Sequence, residues 1–424
     1  MRKKWMPILL AILCSASLLR AQPPSDTLQL SLPAAEKMFL DSNFQLLAQR
    51  YNVDASKALI LQARLWPNPN LGISHGLYSG TLQQFFPTGV NDETSASLSQ
   101  LILLAGKRNK QVKIAQANAT LSEYSFFDLL RTLKYTLRTD YYKIYYLQRS
   151  SAVYTEEIRS LEQVSKAFAE QQGKGYISEK EVIRIKAQLY SLQNEYSDLI
   201  NQLNDTQGEL RLLLQASPKT YIDPAPDTAA ILALDPSRYP LTTLMDSAYR
   251  NRTDLQIARK NTEISKLNYN YQRSLAVPDL TLSLGYDEQG SFLVNYYGIG
   301  ASMDLPFFNR NQGNIQSSKA MIGFNNATQK SVQATVEENV SRALQKAFAQ
   351  HKLYQGIDPH FGQDFERMMH EVLINYQRRN ISILDFLDFY DSYKGNILQF
   401  NNVLFNRLSA FEDINFYTGT NFFN

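Results

Sequence analysis

Two carboxylates near the C-terminal end of the chain have a spacing that could support chemistry. Asp385 and Asp388 are three residues apart, which places both on one face of a helix. They lie off the apolar seam of Ile383, Phe386 and Tyr390, so one interpretation is a solvated helix face. The other interpretation is a carboxylate pair whose field attracts cations.

Other residue types that catalyse reactions or bind metals are sparse. No nucleophile elbow, phosphate-binding loop, dinucleotide fingerprint or paired-acid signature occurs in a suitable context. The histidines show no ligand spacing with cysteine or acidic residues. They are His75, His351, His360 and His370. We therefore expect no enzymatic activity, no cofactor and no bound metal.

Residues 1–21 have the pattern of a cleaved export signal. Basic residues at 2–4 precede a short apolar run from Ile8 to Leu19, and Ala21 is a small residue before the cleavage point. Four of the 43 basic residues and none of the 40 acidic residues lie in this segment. The exported chain is therefore close to neutral, and no nucleic-acid partner is implied. Its only cysteine, Cys14, leaves with the signal.

The rest of the chain consists of two halves with similar sequence patterns. A shift of 209 positions places 43–50 on 252–259 and 69–74 on 278–283, and a later shift of 204 places Ile177-Ser178 on Ile381-Ser382. These ordered offsets predict a tandem repeat. The first repeat is 22–216 and the second is 241–424, joined by a proline-rich linker at 217–240.

Each half contains two segments in which apolar and small polar residues alternate, which predicts strands with one apolar face. The strands are 70–78 and 94–104 in the first half, and 279–287 and 294–305 in the second. Four strands are about half of the smallest closed barrel, and lipid does not tolerate an open edge. The strands therefore predict a barrel shared between chains, with its small-residue face toward a wet lumen; three chains would supply twelve strands.

Long helices follow each strand pair. A helix is predicted at about Ala34–Leu65, and heptad spacing then predicts a coiled-coil hairpin over 107–215. The second half has a helix and a helical hairpin over 312–417, interrupted at Gly356 to Pro359. The predicted fold class is mostly α with a small β part. It is a trimeric 12-stranded transmembrane β-barrel, four strands per chain, continued by a long periplasmic α-helical barrel.

Three segments carry a family resemblance. They are Leu65-Trp-Pro-Asn-Pro-Asn70, Leu103-Leu-Ala-Gly-Lys-Arg108 and Ile383-Leu-Asp-Phe-Leu-Asp388. With the order of elements, they resemble the TolC-like outer-membrane efflux proteins, and the first two look most like the heavy-metal-cation branch, the CzcC and CusC type. The resemblance implies a homotrimer in outer membrane lipid, docked to a periplasmic adaptor (membrane fusion) protein and an inner-membrane pump of the RND type.

The resemblance also implies roles for individual residues. Asp385 and Asp388 come one turn past the second hairpin turn, where similar channels carry aspartate rings, so we expect them at a pore constriction or gate. The hairpin turns are expected to contact the adaptor. These turn residues are Gly173, Lys174, Gly175, Tyr176, Arg378, Arg379 and Asn380.

Aromatic residues cluster at the predicted strand ends, which is typical of a girdle at the membrane interface. They are Tyr78, Phe85, Phe86, Tyr286, Tyr296 and Tyr297, beside predicted extracellular loops at 79–93 and 287–291.

The expected function is the outer-membrane channel of a tripartite efflux system that exports small molecules or metal cations. Two alternatives remain at this stage: the duct of a type I protein secretion system, and a periplasmic coiled-coil scaffold without a lumen. The scaffold alternative does not explain why strands with alternating apolar and small polar residues occur at matching positions in both halves.

Overall fold

The computed structural model describes residues 26–80, 83–87, 94–289, 293–358, 367–368, 371–376, 378 and 380–423. The predicted export signal, parts of the predicted loops, His360, His370 and Arg379 lie outside these residues. Within them, no helix has both the length and the hydropathy needed to cross a bilayer.

The first half is built from a short strand, two helices, a strand pair and a long helical hairpin. The order is β1 (Asp26–Leu30), α1 (Leu32–Ser42), α2 (Phe44–Arg64), β2 (Asn70–His75), β3 (Tyr78–Ser79), β4 (Gln84–Phe85), β5 (Thr94–Ile102), α3 (Lys107–Gly173) and α4 (Glu179–Leu214). α3 is continuous over 67 residues, which makes it about 100 Å long. The single helix predicted over 34–65 is wrong, because α1 and α2 are separated at Asn43.

The second half repeats this order after a folded connection. It comprises β6 (Thr220–Pro224), α5 (Thr228–Leu232), a 3-10 turn (Pro236–Arg238), α6 (Leu241–Asn251), α7 (Thr253–Leu275), β7 (Leu280–Gln289), β8 (Val294–Met303), α8 (Gln312–Gln355) and α9 (Ile383–Thr418). Residues 371–376 are also helical. The segment predicted as a linker is instead folded: β6 pairs in parallel with β1. α8 ends at the predicted interruption, with Gly356 as its C-cap.

Matching helix breaks occur at Asn43 and Arg252, and both join one helix to the end of another. Asn43 Nδ2 donates to the carbonyl of Leu213 (3.0 Å), while its Oδ1 accepts from the amide of Leu46 (3.0 Å). Arg252 Nη1 donates to the carbonyl of Tyr417 (3.2 Å). Unpaired carbonyls at the ends of α4 and α9 thereby gain donors. As a result the start of α2 is bonded to the end of α4, and the start of α7 to the end of α9.

The main sheet is antiparallel, in the order β2-β5-β7-β8. Three strands end earlier than predicted, at His75, Ile102 and Met303, while β7 extends to Gln289. β3 and β4 form a small separate hairpin; β3 begins at Tyr78, the last residue of the predicted first strand, and β4 lies in the predicted loop at 79–93. The predicted fold class, mostly helical with a small sheet, is confirmed.

The helices form a wall below the sheet. α2, α3, α7 and α8 contact one another in that order, and α4 and α9 pack on the distal part of α3. An added layer of β1, α1 and β6 covers one side of α3. Tyr141 Oη donates to the carbonyl of Leu30 in β1 (2.9 Å), and Lys134 pairs with Glu36 of α1 (3.0 Å).

Candidate functional site: a one-sided sheet and two hairpin ends

The register of the sheet places its large apolar side chains on one face. One row across the four strands is Leu71, Leu98, Leu284 and Ile299, and the adjacent row is Gly72, Ser97, Gly285 and Gly298. The apolar row is open to the surroundings: Leu71 is 67% exposed and Ile299 is 88% exposed. A contiguous exposed apolar surface of this kind marks contact with lipid or another protein.

The opposite face is small and closely packed. A Cβ on Gly72 would lie 2.9 Å from Ser97 Oγ, and one on Gly300 would lie 2.6 Å from Ser283 Oγ. These distances are too short, so larger residues at either glycine would displace the serines. The sheet therefore has a polar surface of short side chains on one side.

Both edges of the sheet and of the helical wall are open. Within the described residues, β2 and β8 each pair on one side only. α2 and α8, which stand below those edge strands, carry exposed large apolar residues. These are Phe44, Leu47, Tyr51 and Leu59 on α2, and Met321, Phe324 and Phe348 on α8. Open strand edges and apolar helix faces are features that a second chain can cover.

A buried ion pair joins the sheet to the helices. Lys107, the first residue of α3, pairs with Asp279 just before β7 (2.7 Å) and donates to the carbonyl of Val277 (2.6 Å). The preceding residues Ala105 and Gly106 have positive φ (53° and 65°), a conformation that suits glycine. Sequence reasoning recognised this segment only as a resemblance and missed Asp279.

Aromatic residues occupy both ends of the sheet. At the helix end, the Arg108 guanidinium lies 4.3 Å from the ring centroid of Trp66, and Phe307 and Phe308 are exposed. Sequence reasoning missed this group, although Trp66 directly precedes Pro67 and the Phe307-Phe308 pair directly follows Pro306. The sequence signal that could have identified these aromatic residues was their position between a strand pattern and a helix pattern.

The predicted girdle lies at the other end, but its members do not share one face. Tyr286 and Tyr297 face each other on the apolar side, with ring centroids 5.1 Å apart. Tyr78 and Phe85 pair across the small hairpin at 5.0 Å. Phe86 stacks on His75 at 6.3 Å. Tyr296 is different, because its pairing with Asp287 places it on the small polar face.

The two helical hairpins pack together at the far end of α3. Phe168 stacks on Tyr376 (5.1 Å between centroids), and Tyr376 stacks on Phe386 (4.4 Å). Tyr390 Oη donates to the carbonyl of Glu157 on α3 (2.6 Å). These buried contacts hold α9 against α3 near the turns.

The candidate gate residues are near this packed end and differ in their bonding. The Asp385 carboxylate accepts from the amide (3.2 Å) and hydroxyl (2.7 Å) of Ser382, while Ser382 Oγ accepts from the Asp385 amide (3.2 Å). This is a capping box at the start of α9. Asp388 is exposed, and among the described residues it has no hydrogen bond or ion pair. The structure thus gives Asp385 a local role and leaves Asp388 without one.

Both hairpin turns are exposed. Gly173 is the last residue of α3, so the first turn begins at Lys174, one residue later than predicted. Gly175 has φ +76°, and Lys174 and Tyr176 are exposed. In the second turn Asn380 Nδ2 donates to Asn375 Oδ1 (3.0 Å), and Arg378 is exposed.

Two buried carboxyls on α3 have perturbed ionisation. Burial raises the pKa of Glu157 to about 7, against the lowering effects of the Tyr390 hydroxyl and the Lys394 charge. Burial, with the Glu209 charge, raises the pKa of Asp140 to about 7. Neither carboxyl belongs to a metal-binding group, since no cluster of three His, Cys, Asp or Glu residues occurs in the described part of the chain.

The fold, a one-sided sheet above a helical wall, is that of the outer-membrane efflux proteins. Residues 37–215 match the sequence profile of the family described as "Outer membrane efflux protein". This match and the likeness to the relatives below confirm the resemblance of the motifs to the TolC-like outer-membrane efflux proteins. Its location is accordingly the outer membrane, with a large periplasmic helical part.

One relative in sequence and two solved structures show how similar the chain is to individual proteins of this kind. The chain is 24% identical over 289 residues to the cobalt-zinc-cadmium resistance protein CzcC of Cupriavidus metallidurans. This alignment covers 68% of the chain and 66% of CzcC, just under two thirds of that relative. The CusC structure has a TM-score of 0.74 at 16% identity over 92% of both chains. The CmeC outer membrane channel of Campylobacter jejuni has a TM-score of 0.73 at 15% identity, over 92% of this chain and 86% of CmeC.

Proposed function

We propose that the chain is the outer-membrane channel of a tripartite efflux system, works as a homotrimer and catalyses no reaction. The observation that carries this proposal is the four-stranded sheet with an exposed apolar face, a small polar face and two open edges. In hydrocarbon, each unpaired backbone group costs several kcal/mol, so open edges must pair with other copies. Three copies joined edge to edge give twelve strands, an even number within the range of outer-membrane barrels.

The helical wall supports the same arrangement. Its two ends, α2 and α8, lie below the two sheet edges and both expose apolar side chains. Contact between α2 of one copy and α8 of the next is heterologous, and such contacts close into a ring when the rotation allows it. The bore would then be lined by the small polar face of the sheet.

Chemical crosslinking in detergent tests the stoichiometry, and conductance in planar bilayers tests the bore. We expect a crosslinked mass of three chains and a steady conductance. A monomer that is soluble without detergent would refute the proposal.

A matched pair of variants tests the assignment of the two faces. Leu284→Arg puts a charge on the apolar face, which should cost about 2–4 kcal/mol at mid-membrane and reduce insertion. Ser99→Arg, on the polar face of the neighbouring strand, should insert normally and lower the conductance for cations. Equal insertion of both variants would contradict the assignment.

For the cargo, we propose divalent metal cations. The support is the likeness to CzcC, whose name gives cobalt, zinc and cadmium, and the acidic pair at Asp385 and Asp388. Three chains would bring six carboxylates around the inner end of the bore, a field that favours cations. Loss of resistance to these metals on gene deletion is the expected result; loss of resistance only to organic compounds would assign a different cargo.

For the partners, we propose a periplasmic adaptor at the hairpin turns and an inner-membrane pump of the RND type. The exposed turn residues Lys174, Tyr176 and Arg378 support this assignment. Lys174→Glu should lower efflux in cells without lowering the yield of trimer. Loss of the trimer instead would mean that the turn serves only to form the hairpin.

A further inference from the structure

The helix ends next to the sheet form a surface that we call the basic collar. It comprises residues 55–69, 103–122, 264–278 and 305–327, which adjoin the sheet in α2, α3, α7 and α8. These segments contain ten lysines and arginines, against five acidic residues directly beside them, of which Glu123 pairs with Lys57 and Asp279 with Lys107. The whole chain is nearly neutral, so positive charge is concentrated at this level of the molecule.

A cavity of about 390 Å³ opens in the collar between α3 and α7. Three cations line it, Lys110, Lys113 and Arg273, and none of its described lining residues is acidic. Lys110 Nζ donates to the carbonyl of Ala105 (2.6 Å), which fixes this ammonium at the upper rim. Lys113 and Arg273 are exposed. A concave site with three cations and no acidic counterion suits an anion with several oxygen atoms.

The cavity opens on the outer side of the proposed duct. Lys113, Lys134 and Tyr141 are separated by multiples of seven residues, so they lie along one face of α3. At the lower end of this face Lys134 and Tyr141 bind the added layer of β1 and α1. An added layer inside the duct would obstruct the bore, so this face is the outer one; this step rests on the proposed function.

The height of the cavity matches the headgroup region of a bilayer. Lys110 and Lys113 lie one and two turns from the start of α3, about 5 and 9 Å from it. The headgroup layer is about 5–7 Å thick on each side of the hydrocarbon core. Above the cavity are the exposed aromatic residues at the helix end of the sheet, Trp66, Phe307 and Phe308, the last of them 96% exposed. Such residues are typical of the boundary between hydrocarbon and headgroups.

We propose that this cavity binds the phosphate group of an anionic phospholipid in the periplasmic leaflet of the outer membrane. The Arg273 guanidinium can hold two phosphate oxygens, and Lys113 supplies a second charge. The proposal deepens the proposed function by naming the lipid that fixes the depth of the duct.

Trp66 provides a local reporter, because the only other tryptophan, Trp5, lies in the predicted export signal. The full exported chain in detergent is titrated with phosphatidylglycerol carrying brominated acyl chains, which quench nearby tryptophan fluorescence, and separately with brominated phosphatidylcholine. We expect the anionic lipid to quench Trp66 at a markedly lower concentration. Lys113→Gln with Arg273→Gln should weaken this preference about thirtyfold, or about fivefold for each charge removed.

The matched control is Lys166→Gln with Lys186→Gln, two exposed lysines on the distant hairpin. It should keep the preference; an equal loss in the control, or an unchanged preference in the collar variant, overturns the proposal. Displacement of the lipid by millimolar inorganic phosphate would assign the cavity to free phosphate and also overturns it. If the double variant does not form trimers, the two single variants are measured, each with an expected fivefold loss. Conductance of the unaltered trimer tests the proposed function independently.

Discussion

The ends of the two helical hairpins share one local geometry but differ in charge one turn later. In the first hairpin Ser178 and Glu181 form a capping box at the start of α4, and in the second Ser382 and Asp385 do so at the start of α9. Three residues further on, the first hairpin has Arg184 and the second has Asp388, both exposed.

This difference distinguishes two roles of the aspartates, capping of a helix and attraction of cations, which the sequence spacing alone does not distinguish. A carboxylate that occurs at the same place in both halves is explained by helix initiation, since the first four amides of a helix need acceptors. Asp385 is therefore needed for the hairpin whether or not a gate exists. Asp388 has no such role, so the proposed attraction of cations would depend mainly on Asp388.

The largest difference between the hairpins is expected in their buried anchors. Phe386 is fully buried between Tyr376 and Tyr390, while its counterpart in the first half is Val182. Phe386→Ala should lower the free energy of unfolding by about 3–5 kcal/mol, because it removes a ring from a packed core. Val182→Ala should cost roughly 2 kcal/mol, for two methyl groups.

Hydrogen exchange of α4 and α9 in the detergent-solubilised trimer measures both effects locally. Phe389→Ala is the control, because this residue lies on the same helix but is 39% exposed. It should change protection little. An equal loss of protection in Phe386→Ala and Phe389→Ala would show that the stacked rings do not anchor the second hairpin.

The contact between the hairpins should also depend on pH. Glu157 has a pKa of about 7 in the folded protein against 4.5 ordinarily, because it is buried. Between these pH values the folded state holds a proton that the unfolded chain releases. The free energy of unfolding therefore falls as the pH rises through this window.

Glu157→Gln should make this fall smaller, leaving the part that comes from Asp140, and stabilise the protein at pH 8 by at most about 3 kcal/mol. Unfolding by denaturant at pH 5 and pH 8 measures it. Glu170→Gln is the control, an exposed carboxylate on the same helix. A wild-type protein whose stability rises between pH 5 and pH 8, with no difference in Glu157→Gln, would contradict the buried protonated state.

Features that repeat with a regular period could be predicted from the sequence. The faces of the strands followed from alternation at period two, and α3 followed from heptads without proline, because both patterns report burial directly. Features that depend on a distant partner could not. The break at Asn43 depends on the carbonyl of Leu213, and the short strand β1 depends on β6 nearly two hundred residues away.

The candidate site likewise has features that could be predicted from the sequence and features that could not. The positions of the turns and of Asp385 and Asp388 were readable from spacing. The capping box at Ser382 was also readable, because serine followed three residues later by an acid is its pattern. The pairing of Lys107 with Asp279 joins two halves of the chain, and neither residue signals the other in sequence.

Separate neutralisation of the two aspartates sharpens the comparison of the hairpin ends. Asp388→Asn should raise the concentration of a trivalent cation that half-blocks the conductance by about tenfold, since it removes three exposed charges from the trimer. Asp385→Asn should have a smaller effect, because its carboxylate is turned toward Ser382. Arg184→Gln is the control for a charge at the matching place of the first hairpin. Equal increases in the half-blocking concentration for the two variants would indicate that both aspartates contribute to the gate.

The smallest expected effect concerns the shared capping boxes. Ser Oγ accepts from the acid's amide at 3.4 Å in the first box and 3.2 Å in the second, and the carboxylate accepts from the serine amide at 3.1 and 3.2 Å. Because these geometries agree, Ser178→Ala and Ser382→Ala should each destabilise the start of their helix by about 1 kcal/mol. Hydrogen exchange of the first-turn amides should then speed up about fivefold in each variant, since exchange follows local opening. A Ser382→Ala variant that alters cation block as strongly as Asp388→Asn would mean that the cap itself positions the gate, and the separation of the two aspartates would fail.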